Sequence, residues 1–356
     1  MKSTLKVGIV GYGYATATFH APLISAVSGL ELNAISSSDA NKVHADFPHM
    51  RVCDSVEQLL AITEIDLIVI PTPNDTHHPI ALQALKAGKH VVVDKPFTLN
   101  TEQALDLIAC AKTEQRVLSV FHNRRWVADF LTVQKLLGSG QLGRVTHFES
   151  HFDRFRPAVR PRWRESDVVG AGLWYDLGPH LLDQALCLFG RPQSIFLDSA
   201  KQRDGALSDD WFYCILNYGQ LRVILHASVL VAQEGPRFII HGTQGSYTKE
   251  GNDPQEDDLK AGLRPNANSM ENWGLDTQEG KLTIQRGSWM QQSTVANERG
   301  DYTRYYAAIR DAILHNAPNP VTPQEALLVM QLIDAGLQSV QQAKVIPFEQ
   351  TYRVSP

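Results

Sequence analysis

Cysteine is scarce: Cys53, Cys110, Cys187 and Cys214 are the only four in 356 residues, and none stands in CxxC spacing. That scarcity excludes a zinc site built on cysteine alone and fits thiols kept reduced in a cytosol. No apolar run approaches the ~20 residues that a membrane-spanning helix needs. The opening MKSTLKVGIVGYGYATA carries a lysine-bearing head. Its apolar run breaks at glycines after about half a dozen residues, which reads as a first strand rather than a leader. An excess of positive charge is missing too. With 33 basic against 38 acidic residues and a net charge of −5, the chain does not suit general binding to nucleic acid or acidic membranes. Internal repeats and low-complexity tracts are absent. What is there, 43% hydrophobic and 20% charged residues, belongs to a globular chain too long for one ordinary core. The expectation is a cytoplasmic protein of two domains, 1–121 and 122–356.

Over the first 121 residues, β-branched apolar runs alternate with helical spacing. The runs are Leu5–Val10, Glu31–Ser36, Asp66–Ile70, His90–Asp94 and Val117–Phe121. The intervening segments, near Thr16–Val27, Asn41–Phe47, Ser55–Ala61, Thr76–Ala87 and Thr101–Lys112, have helical periodicity. This alternation predicts an α/β fold with a doubly wound parallel sheet of the Rossmann kind. Pro22 should kink the first helix or mark its beginning. Beyond His122 the texture changes: a helix near Ala128–Leu137, a strand near Arg144–Asp153, then consecutive strand-like runs near Ser194–Ala200, Trp211–Asn217, Arg222–Val231 and Arg237–His241. Short turns between them predict an α+β domain with a large, mainly antiparallel sheet. Gly251–Gln292 reads as a polar surface excursion, and helices near Tyr302–His315 and Pro323–Gln342 close the chain.

Gly11-Tyr12-Gly13-Tyr14-Ala15-Thr16 follows the first strand and opens a helix. Glycine at 11 permits the tight turn, and glycine at 13 lets a pyrophosphate approach backbone amides. The third glycine of that fingerprint is lacking; Thr16 stands in its place. Also lacking is an acid at the tip of the second strand, where NAD-binding folds hold the ribose hydroxyls. Ser36-Ser37-Ser38 stand there, with Asp39 and Lys42 beyond. Serine hydroxyls and Lys42 suit a 2′-phosphate, so NADP(H) is favoured, with NAD(H) open through Asp39.

Asp94-Lys95-Pro96 leaves the strand His90–Asp94 at the carboxyl edge, where open α/β sheets bind ligands. A lysine there can donate to a substrate hydroxyl beside the cofactor. The loop Pro71-Thr72-Pro73-Asn74-Asp75-Thr76-His77-His78 leaves a neighbouring strand at the same edge, so Pro71, Thr72, Asn74 and His77 are candidates to face the cofactor. Adjacent His77 and His78 point apart and have no third ligand near in sequence, so no metal is expected. Asp176 and His180 sit four residues apart in GAGLWYDLGPH, which stacks a carboxylate and an imidazole on one helix face. His180 is suited to accept a hydroxyl proton near neutral pH. Arginines 154, 156, 160, 162 and 164 alternate with aromatics and prolines, which suits an anion-lined loop better than a nucleic-acid surface.

Together these motifs resemble the glucose–fructose oxidoreductase, inositol dehydrogenase and MocA-like (Gfo/Idh/MocA) family. The matching stretches are VGIVGYGYAT, Asp94-Lys95-Pro96 in place of Glu-Lys-Pro, and the run from Gly170 to His180. TFHAPLI, SVFHNRRW, RWRE, YDLGPHLLDQ and DPQEDDLKAG look closest to the bacterial branch with NADP-dependent scyllo-inositol dehydrogenases. The resemblance implies Lys95 and Asp176 as substrate-orienting groups, His180 as the acid/base, Asn123 near the nicotinamide, and Trp163 and Arg164 near the cofactor. It also implies a homodimer or higher homo-oligomer formed through the second domain's sheet. Thr16 and Ser38 depart from the family, whose NADP-dependent inositol members carry arginine at the latter position. The expected activity is hydride transfer between NAD(P) and a secondary alcohol of a cyclic polyol or sugar. Reduction of an aldehyde or dicarbonyl, or a non-catalytic NAD(P)-sensing regulator, are the alternatives. The reading requires Lys95 and His180 to serve one nicotinamide face.

Overall fold

Continuous β-branched runs separated by helices form a parallel sheet in the computed structural model, which describes residues 3–265 and 271–348. Its strands are β1 (Leu5–Val10), β2 (Leu30–Ser36), β3 (Arg51–Cys53), β4 (Leu67–Ile70), β5 (His90–Val93) and β6 (Leu118–Val120). Between them lie a π-helical turn at Thr16–His20 and α1 (Ala21–Ala26), then α2 (Ala40–Asp46), α3 (Val56–Leu60), α4 (Asn74–Lys86) and α5 (Thr101–Thr113). All pairs are parallel, in the order β3-β2-β1-β4-β5-β6. Every residue of β4 is buried, which is why its sequence is apolar without alternation. The strand order reverses between β1 and β4, which opens a ligand crevice at the carboxyl ends. Pro22 falls in the first turn of α1, where its ring is tolerated, and the π-helical turn takes up the preceding residues. The three-residue β3, with one buried side chain, was not among the predicted strands.

Packing divides the chain into two compact units, each assembled from three stretches. The first comprises Met1–Val127, Asp253–Leu275 and Gly300–Leu328; the second comprises Ala128–Asn252, Asp276–Arg299 and Val329–Pro356. A division after residue 121 follows the sequence but not this packing, because two later stretches return to the first unit. One contains α8 (Gln255–Lys260), and the other contains α9 (Thr303–His315) and the start of α10 (Pro323–Gln342). Tyr305 and Tyr306 of α9 are fully buried against Phe121, with ring centroids 5.0 and 5.6 Å away.

The second unit begins with α6 (Ala128–Gly138), β7 (Val145–Asp153) and α7 (Leu173–Phe189). It continues through β8 (Ser194–Ala200), β9 (Trp211–Tyr218), β10 (Leu221–Ser228), β11 (Phe238–Gly242) and β12 (Gly245–Lys249). β13 (Gly280–Arg286), β14 (Trp289–Val295) and β15 (Ile346–Pro347) complete it. Among the described residues its sheet runs β14-β13-β12-β11-β7-β10-β9-β8-β15, with β7 and β10 parallel and the other pairs antiparallel. Side chains alternate between a buried face and a half-exposed one, and α7 covers the former through Trp174, 5.0 Å from Phe212. The stretch Gly251–Gln292 is not a surface excursion: it supplies α8, β13 and the first residues of β14. β14 is rich in glutamine, serine and threonine and is mostly exposed at the sheet edge, so it carries no apolar period. Residues 266–270 of that stretch lie outside the described residues. Among the described residues, no helix is long and apolar enough to cross a membrane.

A buried lysine and a half-buried aspartate hold loops in place. The Lys89 ammonium donates to the carbonyls of Ile62 and Ile65, both at 2.8 Å, in the turn before β4. In the second unit, Asp209 starts α7: its carbonyl accepts from Leu173 N–H at 2.8 Å and its carboxylate from Trp174 N–H at 2.6 Å. Burial pushes the Asp209 carboxyl up to about 6, overcoming the backbone N–H groups that favour its charge.

Lys89→Met strands these carbonyls and should lower stability by about 2–4 kcal/mol, read as a lower urea midpoint. Asp209 has a folded pKa above its unfolded value of about 3.9. Its stabilising contribution is therefore complete below that value and is lost as pH rises through about 6. Thermal unfolding should show this decline, and Asp209→Asn should remove about 1–2 kcal/mol of it.

Candidate active site

The first unit presents a bare backbone at the end of β1. Gly11 has φ +83°, which an L side chain disfavours, and an added Cβ at Gly13 would meet nothing within 4 Å. Gly11 N–H donates to the carbonyl of Ser36 at 2.9 Å, which ties the turn to the tip of β2. Thr16 explains its own presence in place of glycine: its hydroxyl donates to the Gly11 carbonyl at 2.8 Å and locks the turn from inside. Tyr12 is buried beside Asp46 and Phe47, Tyr14 is exposed, and Ala15 caps the helical turn that follows. The open glycine face, next to backbone amides at a helix start, fits a pyrophosphate.

At the tip of β2, Ser36 is buried and faces Gly11, whereas Ser38 and Lys42 are exposed and Ser37 half-exposed. Asp39 serves as the cap of α2, accepting from Lys42 N–H at 3.1 Å. That bond directs its carboxylate to a helix terminus, while the Ser37 hydroxyl is engaged with the Asp39 backbone and Ser36 with Gly11 N–H, which leaves Ser38 and Lys42 as exposed polar side chains at this tip.

α4 begins at Asn74, two residues earlier than predicted, which draws Asn74 and His77 into its first turn. Both are buried. His77 lies between the carbonyls of Pro96 and Thr72, at 2.8 and 2.9 Å, and so pins the Pro71–Thr72 loop to the Lys95-Pro96 loop. With no exposed surface, its ring shapes the site from behind rather than touching a cofactor. His78 turns the other way, to Asp106 at 2.7 Å.

Asp94 closes β5 with its side chain 14% exposed. One oxygen accepts from Lys95 N–H at 2.7 Å, and the other lies 3.5 Å from His20 Nε2. His20 Nδ1 is 2.6 Å from the Tyr306 hydroxyl. Burial pushes the Tyr306 hydroxyl far up, so it stays protonated beside the ring. Burial alone would raise the Asp94 carboxyl too; His20, Lys95 and His77 outweigh it and hold it at about 2. The backbone bearing Lys95 is thus fixed by a permanent carboxylate. His20 and Tyr306 were not predicted as site residues, because 286 positions separate them and no motif joins them. Asn123 is buried at the start of the short turn Asn123–Trp126 that follows β6.

The second unit carries the other predicted groups. Asp176 lies in the first turn of α7, where a carboxylate is favoured, and His180 lies one turn on, buried. Asp176 is 3.7 Å from Arg164, whose guanidinium stacks on Trp163 at 4.5 Å. Arg156, Arg162 and Arg164 border one small cavity with Asp176. The rest of the arginine loop is folded on itself. Arg203 holds Glu165 at 3.0 Å and Asp210 at 2.9 Å and donates to the carbonyls of Arg156 and Ala158, while Arg162 pairs with Glu165. The run of arginines is therefore an ordered wall beside Asp176. Gly172 has φ +94°, and a Cβ there would lie 2.0 Å from Asp209 Oδ1, so only glycine lets α7 start at this point.

Residues 5–122 match the model of an oxidoreductase family's NAD-binding Rossmann fold, and 134–348 match that family's C-terminal alpha/beta domain. The chain is 55% identical to a protein of Escherichia coli K12 named "Uncharacterized oxidoreductase YdgJ", over 95% of this chain and 97% of that one. It is 38% identical to IolW of Bacillus subtilis 168, named scyllo-inositol 2-dehydrogenase (NADP(+)), over 97% and 96% of the two chains. The solved structure of YPO2259 from Yersinia pestis superposes with a TM-score of 0.94 at 53% identity, covering 99% of each chain. With a nucleotide loop on the expected sheet and both family models matched, the chain belongs to the Gfo/Idh/MocA oxidoreductases and carries their NAD-binding Rossmann domain.

Proposed function

We propose that the protein is a dehydrogenase that exchanges a hydride between NADP(H), with NAD(H) as a lesser substitute, and a secondary alcohol of a cyclic polyol or sugar. The observation that carries this reading is α7, which presents a carboxylate against a guanidinium wall and an imidazole one turn further on. The substrate class is supported by the name of IolW, 38% identical along nearly the whole chain.

Gly11 and Gly13 would hold the pyrophosphate, and Ser37, Ser38 and Lys42 the 2′-phosphate, since Asp39 is occupied as a helix cap. The bound nicotinamide supplies the hydride acceptor, or the donor in reverse. The ammonium of Lys95 donates to the alcohol oxygen and favours its alkoxide. His180 takes the hydroxyl proton in oxidation and returns it in reduction. Asp176 accepts from a neighbouring hydroxyl and orients the ring. Association of copies through the outer face of the second unit's sheet belongs to the same proposal. Trp211, Tyr213, Ile215, Ile224 and Ile239 give that face apolar, half-exposed side chains.

Reduction of NADP and NAD should be screened against inositols and sugars, with the reverse reaction run on the matching ketones, aldehydes and dicarbonyls. Turnover with a cyclic polyol and NADP is expected. Activity confined to small aldehydes or dicarbonyls would replace the substrate assignment. His180→Ala should reduce kcat by about 10²–10⁴-fold while NADPH binding, followed by fluorescence, stays within about threefold; unchanged kcat removes His180 from the scheme. Ser38→Asp should weaken NADP binding by about tenfold or more through like charge at the 2′-phosphate, and equal loss with NAD would refute that placement.

A further inference from the structure

The half-exposed face of the second unit's sheet carries a side-chain constellation that no oxidoreductase step uses. Period-two alternation along β7 brings His147, Glu149, His151 and Asp153 to one face. In the parallel register with β10, His226 stands directly opposite His151. Among the described residues, His151, Asp153 and His226 form a group whose possible ligand atoms all lie within 4.8 Å of one another.

The spacing of that group suits an ion. His226 Nδ1 lies 2.9 Å from Asp153 Oδ1, within ion-pair distance. His151 Nδ1 lies 3.6 Å from Asp153 Oδ2. Donors around a tetrahedral ion with bonds of 2.0–2.1 Å are about 3.3 Å apart, and these two separations straddle that spacing. Behind His151, Glu149 accepts from Nε2 at 2.8 Å. A carboxylate in that position orients the ring so that Nδ1 faces the group, the support that metal-binding histidines commonly have. Trp211 and Tyr213, with centroids 5.9 and 6.1 Å from the His226 ring, shield it from bulk water. The three side chains are 10–22% exposed.

We propose that His151 Nδ1, His226 Nδ1 and the Asp153 carboxylate form a divalent transition-metal site of the zinc type, with water in the fourth position. The ion bridges β7 and β10, the one parallel pair of the sheet, and acts as a clasp rather than a catalyst. Two imidazoles and one carboxylate suit zinc or its first-row neighbours and do not suit calcium or magnesium.

The test uses the untagged full-length chain, stripped with chelator and titrated with zinc chloride by calorimetry, with bound metal measured by elemental analysis after desalting. About one zinc per chain is expected, with dissociation in the micromolar range or tighter and a Tm raised by a few degrees at saturation. His226→Ala and the near-isosteric Asp153→Asn should each weaken binding at least tenfold, and Glu149→Gln by about 10–100-fold. Circular dichroism establishes that each variant is folded. Sub-stoichiometric zinc in the wild type, or affinity unchanged in both His226→Ala and Asp153→Asn, overturns the site.

Discussion

A single buried carboxylate organises the first unit's ligand edge. Asp94 follows a buried apolar strand, so its charge must be answered locally, and it is answered from three directions. Lys95 supplies a backbone N–H, His20 an imidazole from the helix after the glycine turn, and His77 a further nearby ring. Tyr306 completes the chain from a segment 286 residues beyond His20. A carboxylate so supported keeps its charge across the physiological range and gives the Lys95 loop a fixed origin. Because an unpaired buried charge costs several kcal/mol, the four elements are coupled: the position of Lys95 depends on all of them.

The second unit solves a related problem with a glycine and an acid. A helix start that must lie close against a neighbouring strand needs caps for its first amides and room for the capping group. Gly172 gives the room, and Asp209 gives both a carbonyl and a carboxylate. The result aims the first turn of α7, with Asp176, at the arginine wall.

Much of this was legible in the sequence because two physical signals were strong. Burial on both faces wrote β4 as an unbroken apolar run and left β1 and β5 with one half-exposed polar residue each, and the glycine turn announced itself by position after β1. β8 and α10 were likewise bounded by clear turns and caps. Other features had no local signature. β13 and β14 lie at a sheet edge and are rich in polar residues, so Gly251–Gln292 read as loop. His20 and Tyr306 meet only through tertiary packing, as do His151 and His226, and a histidine in an apolar context carries no mark of its partner. The inward turn of His77 could not be told from its outward alternatives without the helix boundary. The doubled membership of the later chain was equally hidden, since composition does not change where 253–275 and 300–328 leave one unit for the other.

That interleaving bears on synthesis. As the chain leaves the ribosome, the nucleotide-binding sheet is complete by residue 120, but the tyrosines that cover Phe121 and His20 emerge only at 305 and 306. Until then the nascent first unit exposes an aromatic face and a buried acid with part of its support missing. Final consolidation of its edge therefore waits for those residues to emerge, and the intermediate unit has the exposed apolar surface that chaperones recognise. Fragments ending before residue 300, though they contain every strand of the parallel sheet, would inherit that same vulnerability.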